Sequence, residues 1–388
     1  MTMFTTRPDF ILWSHLFALT IALPVLVSAA DKEGKGNRGI RVEQTRNLTE
    51  FDSTLGWRRI PNFHGTHVQG EYQVEMRYNA RGFRGPLYPY ERTPQTYRIL
   101  ILGDSYADGY SVEFDDLFTE TMQERLKTKF KKPMEVVNSA VGGYGTDQQL
   151  LYFLIDGRRY KPDLTILLFY ANDLPYNIKA HYAPLGRGEK PLFALEDGKL
   201  YLKSLPKPPR DRTPDQRKDF YDPKLVRQTM EMFVRPKAAA GDSPGASEEK
   251  GGPVYGSGTK GTQWEMTEAL MKKIKESCEA NDSHLLLFFV PVKRDIYGRA
   301  DVIENKPSVV SSNLRTLASR LKIDLIDTLP VYRDRAAQIA RQKQRLYWIR
   351  DSHWTPQGHQ LAGEILARHL RTHAVRYRLS EPPAAGGN

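Results

Sequence analysis

The stretch YRILILGDSYADG, residues 97–109, decides the fold. Residues 97–102 form an almost continuous apolar run, which is typical of a strand whose sheet is covered on both faces. Residues 103–109 are small and polar, as in a turn. The sequence therefore predicts a buried strand that ends just before Ser105 and presents this hydroxyl on a loop.

Four more apolar segments follow, and helical patterns separate them. The predicted strands are 97–102, 134–138, 164–170, 285–290 and 323–327, and the predicted helices lie near 116–131, 146–160, 263–281, 308–321 and 356–372. Strands that alternate with helices imply right-handed crossovers and a parallel sheet with helices on both faces. The prediction is an α/β fold, a flavodoxin-like, doubly wound parallel sheet of about five strands.

Outside the predicted sheet, the chain contains an N-terminal element, a long insertion and a C-terminal tail. Residues 71–78 (EYQVEMRY) alternate apolar and polar side chains, which predicts a half-buried strand in a small N-terminal element, residues 31–92. A long insertion, residues 175–262, follows the third strand; it contains a predicted hairpin at 192–202 and a loop rich in small residues at 238–262. We expect an α/β domain over residues 93–378 and a flexible tail at residues 379–388.

The N-terminal residues indicate the cellular location of the protein. Residues 10–30 (FILWSHLFALTIALPVLVSAA) contain no Asp, Glu, Lys or Arg and are long enough to span a bilayer. They end in Ser28, Ala29 and Ala30, small residues of the kind that a signal peptidase accepts. We interpret residues 1–30 as a signal peptide, with a retained membrane anchor as the alternative. We therefore expect an exported protein, periplasmic or extracellular.

The net charge indicates which binding partners to expect, and the cysteine content excludes several disulfide and metal sites. The 388 residues include 57 Lys and Arg against 46 Asp and Glu, a net charge of +11, which favours anionic partners. Because an exported protein seldom meets nucleic acid, we expect anionic glycans or lipid headgroups instead. The single cysteine, Cys278, excludes an intrachain disulfide, a multi-cysteine zinc site and an iron–sulfur cluster.

Candidate functional residues come directly after the predicted strands. Ser105 follows the first strand, the glycine-rich block NSAVGGYGTDQ (138–148) follows the second, and Asn172 follows the third. Asp351 and His353 stand just before the last predicted helix. Because ligands of a doubly wound sheet bind beyond the carboxyl ends of the strands, we expect these groups to meet at one edge.

These groups suit acyl transfer. A serine hydroxyl such as Ser105 needs a base that takes its proton, and a neutral imidazole such as His353 can do so at neutral pH. A carboxylate such as Asp351 orients the imidazole and stabilises its protonated form. The backbone N–H of Ser105, the N–H of a glycine and the Asn172 amide would donate to the oxyanion of a tetrahedral intermediate.

The order Gly-Asp-Ser, glycine block, Asn-Asp and Asp-x-His resembles the four blocks of the SGNH (GDSL-type) hydrolases, over about residues 56–367. GWRRIPN (56–62) and YNARGFRG (78–85) resemble the lead-in of exported bacterial members. The resemblance implies Ser105 as nucleophile, Ser105, Gly143 and Asn172 as oxyanion donors, and His353 as base supported by Asp351. One departure is the spacing Asp-x-His, where many members have Asp-x-x-His; it is also met in members related to polysaccharide acetylation. We expect no cofactor and no metal ion.

These observations favour a serine esterase of the cell envelope. It would hydrolyse acyl esters, above all O-acetyl esters on a carbohydrate, through an acyl-serine intermediate. The alternatives are an O-acyltransferase acting on an exopolysaccharide, a lipase or lysophospholipase, and a catalytically silent glycan-binding protein. The expected partner is an acylated carbohydrate, with an anionic polysaccharide among the candidates; no nucleic acid is expected, and residues 10–30 are the candidate membrane tether.

Overall fold

The computed structural model describes residues 43–44, 48–182, 188–207, 220–235, 262–298 and 308–380. Within these ranges the strands are β1 (Glu43–Gln44), β2 (Thr49–Asp52), β3 (Gly56–Arg59), β4 (His64–Gln69), β5 (Tyr72–Arg77), β6 (Tyr97–Leu102), β7 (Met134–Asn138), β8 (Leu164–Phe169), β9 (His181–Tyr182), β10 (Gly188–Glu189), β11 (Leu192–Glu196), β12 (Lys199–Ser204), β13 (His284–Phe289) and β14 (Asp324–Asp327). The helices are α1 (Ser105–Asp108), α2 (Phe118–Lys127), α3 (Thr146–Ile155), α4 (Asp173–Tyr176), α5 (Pro223–Glu231), α6 (Thr262–Glu279), α7 (Lys293–Tyr297), α8 (Val309–Leu321), α9 (Leu329–Ala340) and α10 (Pro356–Thr372).

A five-stranded sheet in the order β14-β13-β8-β6-β7 forms the centre of the fold, and all its strand pairs are parallel. Numbered along the chain, this order is 2-1-3-4-5, that of a flavodoxin-like doubly wound sheet. The predicted fold class is therefore confirmed. β6 and β7 have the predicted bounds, β8 and β14 are each one residue shorter than predicted, and β13 is shifted by one residue toward the N-terminus.

Two layers of helices cover this sheet. The crossovers from β6 to β7 and from β7 to β8 run in opposite directions along the sheet, so right-handed connections place α2 and α3 on opposite faces. α2 packs against α10, and α3 packs against α6. β6 and β8 are consequently buried along their whole length, as their apolar runs predict.

One buried charge lies within β6. The Arg98 side chain is fully buried, and its Nε donates to Glu135 Oε2 at 2.7 Å while Nη1 donates to the carbonyls of Tyr90 and Tyr160. A buried guanidinium needs such partners, because an unpaired charge in the interior is costly. Arg98 thus ties two loops and a neighbouring strand to the beginning of β6.

Helix α9 was missing from the sequence prediction, which treated this region as an intervening segment before Asp351. Its buried residues, Leu329, Tyr332, Ala336 and Ile339, recur at helical spacing. Charged residues between them, Arg333 to Arg335, leave a narrow apolar stripe. That stripe suffices because the rest of the helix faces solvent.

The residues before the central sheet form two small β-structures. β2 and β3 pair as an antiparallel hairpin, and β4 and β5 form a second hairpin that β1 extends in parallel. The sequence predicted only the strand at 71–78, observed as β5. In β5, Tyr72, Val74 and Met76 are buried and the residues between them are exposed, as the alternation predicts.

The insertion after β8 contains the predicted hairpin. β11 and β12 pair antiparallel around Asp197 and Gly198, whose φ angles of 49° and 73° are those of a tight hairpin turn. Most of the predicted loop at 238–262, the apolar segment 10–30 and most of the tail at 379–388 lie outside the described residues. Among the residues that are described, no helix is both long and apolar enough to cross a membrane.

A buried ion pair joins the β2–β3 hairpin to the α/β domain. The Arg59 guanidinium at the end of β3 binds the Asp108 carboxylate at the end of α1, with Nε 3.0 Å from Oδ1. Tyr78 also donates to Asp108, at 3.4 Å. Both charged side chains are almost wholly buried, so each depends on the other for compensation of its lost hydration.

Replacing Arg59 with Ala leaves the Asp108 carboxylate buried without its cation. We expect the free energy of unfolding to fall by about 3–5 kcal/mol, the usual cost of removing one partner of a buried ion pair. Equilibrium urea unfolding measures the loss. Arg77→Ala, which breaks the exposed pair with Glu75, is the control, with an expected loss below about 1 kcal/mol. Equal losses in the two variants would contradict the cost that we assign to a buried Asp108 carboxylate without its cation.

Candidate active site

Ser105 stands at the first position of α1, directly beyond the carboxyl end of β6. The Asp104 carboxylate caps this one-turn helix by accepting the N–H of Tyr106 at 3.0 Å. The helix ends at Gly109, whose φ of 67° lies in the left-handed region that glycine adopts without strain. The strand, the cap and this turn together hold Ser105 at the edge of the sheet.

His353 links Ser105 to Asp351. Its Nε2 lies 2.7 Å from Ser105 Oγ, and its Nδ1 contacts Asp351 Oδ1. Asp351 Oδ1 also accepts the backbone N–H of His353 at 2.9 Å. The Asp-x-His spacing is therefore compatible with a carboxylate-imidazole contact, because the same oxygen meets both the backbone and the ring two residues later.

The Asp351 carboxylate is held in its ionised form. Partial burial alone would raise the pKa of this carboxyl, but the ring and charge of His353, the backbone N–H of His353 and the Tyr72 hydroxyl outweigh it. The pKa of Asp351 is consequently well below its ordinary value. A carboxylate that stays ionised can accept a ring N–H and stabilise a protonated imidazole.

Asn172 and Gly143 lie on the loops that flank Ser105. Asn172 Nδ2 donates to Asp104 Oδ2 at 3.0 Å, which connects the end of β8 with the residue before Ser105. The glycine loop is tied to the same place, since the N–H of Val141 donates to the Gly103 carbonyl at 3.3 Å. Gly143 has a φ of 84°, which a residue with a side chain rarely adopts.

Asp173 supports the loop that carries Asn172. Its buried carboxylate accepts the N–H of Tyr170 at 3.0 Å and the hydroxyl of Thr146 at 3.2 Å. The second contact reaches the first residue of α3. Asp173 thereby joins the loops that follow β7 and β8, and both of its carboxylate oxygens accept hydrogen bonds from them.

Several residues that contact this site were not among the sequence candidates. The Tyr72 hydroxyl donates to Asp351 Oδ2 at 3.0 Å, and the Tyr110 hydroxyl lies 3.1 Å from His353 Nε2. Glu71 accepts backbone N–H groups of residues 349–351, and the Lys293 ammonium donates to carbonyls of the same segment. The alternation in residues 71–78 predicts a strand face, but it contains no signal for a partner near residue 351.

Within the part of the chain that the structure describes, no group of three or more His, Cys, Asp or Glu side chains is arranged to hold a metal ion. The arrangement instead offers a hydroxyl, an imidazole and a carboxylate in sequence, beside two loops that bear donors. Such a set can activate a serine toward a carbonyl carbon.

Comparison with known proteins identifies one protein family whose model matches more than half of this chain. A family model described as the GDSL-like lipase/acylhydrolase family matches residues 101–361. No curated protein matches the chain. Solved structures that match include an acetyl xylan esterase, at 15% identity over 70% of this chain and 99% of that one, with a TM-score of 0.40.

Two other solved structures match to a similar degree. The lipase/acylhydrolase from Enterococcus faecalis is 12% identical over 74% of this chain and 100% of that one, with a TM-score of 0.38. A two-domain esterase active on acetylated mannans is 13% identical over 75% of this chain and 52% of that one, with a TM-score of 0.39.

His359, in the first turn of α10, gives the region a pH-dependent stability. Burial, with smaller contributions from Arg84 and His353, lowers the pKa of His359 to about 3. In the unfolded chain an imidazole titrates near pH 6.5. Between these values the unfolded state binds the extra proton, so the free energy of unfolding falls as the pH drops from about 6.5 toward 3.

Replacing His359 with Gln removes this contribution. We expect the wild-type protein to lose about 2 kcal/mol more stability than the variant between pH 7 and pH 5. Urea unfolding at the two pH values measures the difference. His369, whose pKa burial lowers to about 4, is present in both proteins and cancels. Equal losses in both proteins would show that His359 takes up a proton in the folded state.

Proposed function

Because the chain belongs to the GDSL-like lipase/acylhydrolase family and is a hydrolase of ester bonds, we propose that it is a serine esterase with Ser105 as nucleophile, His353 as general base and Asp351 as the group that orients His353. The observation that carries this assignment is the distance of 2.7 Å between Ser105 Oγ and His353 Nε2. That distance lies within the range for proton transfer from a hydroxyl to an imidazole.

In the proposed mechanism, Ser105 Oγ attacks the ester carbonyl carbon while its proton passes to His353 Nε2. The resulting oxyanion accepts hydrogen bonds from the N–H groups of Ser105 and Gly143 and from the Asn172 amide. His353 then protonates the departing alkoxide, which leaves an acyl-serine and a free alcohol. Water attacks this ester with His353 again as base, and the products are the carboxylic acid and regenerated Ser105.

We assign O-acetyl groups on a carbohydrate of the cell envelope as the substrate class. The net charge of +11 supports an anionic polysaccharide, and the apolar segment 10–30 supports export. Cationic side chains also border the His353 loop: Lys293 contacts its carbonyls, and Arg345 stacks on Tyr297 with its guanidinium carbon 4.2 Å from the ring centroid. Such a border favours a polymer that carries carboxylates or other anions.

The catalytic assignment predicts that two single substitutions abolish activity. Ser105→Ala and His353→Ala should each reduce acetate release from an acetyl ester by about 10³-fold or more, because each removes a member of one catalytic unit. The assay uses the purified full-length protein. Ser319→Ala, an exposed serine on α8, is the matched control and should retain wild-type activity. Rates that agree among all four proteins would exclude Ser105 and His353 from the chemistry.

The substrate assignment predicts a preference for short acyl groups on anionic glycans. We expect faster acetate release from an acetylated uronic-acid polymer than from an acetylated neutral polymer, and a rise in KM with added salt because screening weakens the attraction. A preference for long-chain esters would indicate a lipase instead. In the presence of an unacetylated glycan acceptor, recovery of the acetyl group on that glycan rather than as free acetate would indicate an acyltransferase.

A further inference from the structure

Three side chains from the residues before the central sheet, Trp57, Glu71 and Tyr72, bind the parts of the candidate site that have no regular structure. All three lie outside residues 101–361, the range that the family model matches. We propose that they are positioning residues: Glu71 and Tyr72 hold the segment that carries Asp351 and His353, and Trp57 orients the peptide that donates from Gly143. This inference rests on the proposed function, since it assigns roles toward the same site.

Tyr72 completes the coordination of the Asp351 carboxylate. Its hydroxyl donates to Oδ2 at 3.0 Å, while Oδ1 faces His353. The Tyr72 ring is buried and packs against Trp348 and His67, with centroids 5.3 and 6.0 Å away. Two oxygens held by two rigid rings define the plane of the carboxylate, so Asp351 cannot rotate away from the imidazole without losing a charge-assisted hydrogen bond.

The Tyr72 hydroxyl remains a donor under all ordinary conditions. Burial, the neighbouring Tyr110 and the charge of Asp351 raise the pKa of Tyr72 far above its ordinary value. The phenol therefore keeps its proton and cannot compete with Asp351 as a base. Its role is confined to the position and charge distribution of the carboxylate.

Glu71 fixes the backbone on which Asp351 stands. Its carboxylate accepts the N–H groups of Ile349, Arg350 and Asp351 at 2.7, 2.5 and 2.7 Å. From the other side, Lys293 Nζ donates to the carbonyls of Ile349 and Asp351 at 2.7 and 3.1 Å. Residues 349–351 belong to no helix or strand, so these charged contacts replace the hydrogen bonds that a regular element would supply.

Trp57 contacts the glycine-rich block (138–148), the other loop beside Ser105. Its indole Nε1–H donates to the Gly142 carbonyl at 3.1 Å, and its own carbonyl accepts the Tyr144 hydroxyl at 2.6 Å. The carbonyl of residue 142 and the N–H of Gly143 belong to one trans peptide and point in opposite directions. The bond to Trp57 therefore turns the Gly143 N–H away from the buried indole, and Trp57 sets the direction of one proposed oxyanion donor.

Tyr72→Phe and Glu71→Gln test the first half of the proposal. Tyr72→Phe keeps the ring and removes the hydrogen bond, so kcat should fall about tenfold, the scale of one hydrogen bond to a charged group, with KM within about twofold of wild type. Without the Tyr72 hydroxyl, the Asp351 carboxylate attracts a protonated imidazole more strongly. The acid limb of the kcat/KM profile should therefore move to higher pH. Glu71→Gln should lower kcat in the same way without that shift.

Two matched variants control for loss of a buried hydroxyl or an acidic side chain. Tyr97→Phe removes a buried hydroxyl that donates to the Tyr377 carbonyl at 2.6 Å, at the amino end of β6. Glu75→Gln removes a carboxylate from β5 that pairs with His64 and Arg77. Both should keep the wild-type kcat and pH profile. A purely structural role for Tyr72 would lower the amount of folded Tyr72→Phe protein and leave the pH profile of its remaining activity unchanged.

Trp57→Phe tests the second half. The ring remains, but the indole N–H is lost, so the peptide between residues 142 and 143 loses this orienting hydrogen bond. We expect kcat to fall about tenfold, and the affinity for a boronic acid that mimics the tetrahedral intermediate to fall in proportion, while the KM for substrate stays nearly constant. Unchanged kcat and boronate affinity would refute this role.

A measurement without substrate separates this inference from the proposed function. We expect the proton between His353 Nδ1 and Asp351 to give a far-downfield proton NMR resonance, which its absence in His353→Ala would assign. Tyr72→Phe should move that resonance and Tyr97→Phe should not. If the wild-type protein hydrolyses no ester but the resonance still moves, the esterase proposal fails and the positioning role stands. If the wild type is active and Tyr72→Phe matches it in kcat, pH profile and resonance, the positioning role fails.

Discussion

The imidazole of His353 has to satisfy two hydrogen bonds at once, one to Ser105 and one to Asp351, and the geometry of the whole edge follows from that requirement. Ser105 is fixed by a buried strand and a capped helical turn, so it offers a stationary partner. His353 lies in a loop without helix or strand, which the bridge between Tyr347 and Trp354 closes just before α10. Its position depends on charged side chains that arrive from elsewhere in the fold.

Buried ion pairs join the peripheral segments to the α/β core. Arg59 with Asp108 connects the β2–β3 hairpin to α1, and Lys190 with Asp147 connects the insertion to the start of α3. All four side chains are almost fully buried. Buried pairs are weak stabilisers but demanding in geometry, because a misplaced partner leaves an uncompensated charge. They therefore favour one arrangement of these segments over neighbouring ones.

The central sheet could be predicted because its strands are continuous apolar runs, and the five runs lie within one residue of the observed strands. Ser105, Asn172, Asp351 and His353 could be proposed because each stands beside a strand end or a helix start. Trp57, Glu71 and Tyr72 could not be connected with them. Hydrogen bonds between segments far apart in the chain leave no periodic trace, and a tyrosine on the buried face of a strand fits ordinary packing equally well.

The order of the parts along the chain has a consequence for biosynthesis. Ser105 and His353 are 248 positions apart, and Glu71 and Tyr72 precede both. A ribosome therefore makes Glu71 and Tyr72 first, Ser105 next and His353 after all three. Until the segment that carries His353 has emerged and folded back, a growing polypeptide holds the Ser105 hydroxyl without an imidazole beside it. Under the proposed mechanism, an unfinished chain therefore has no base to activate this serine.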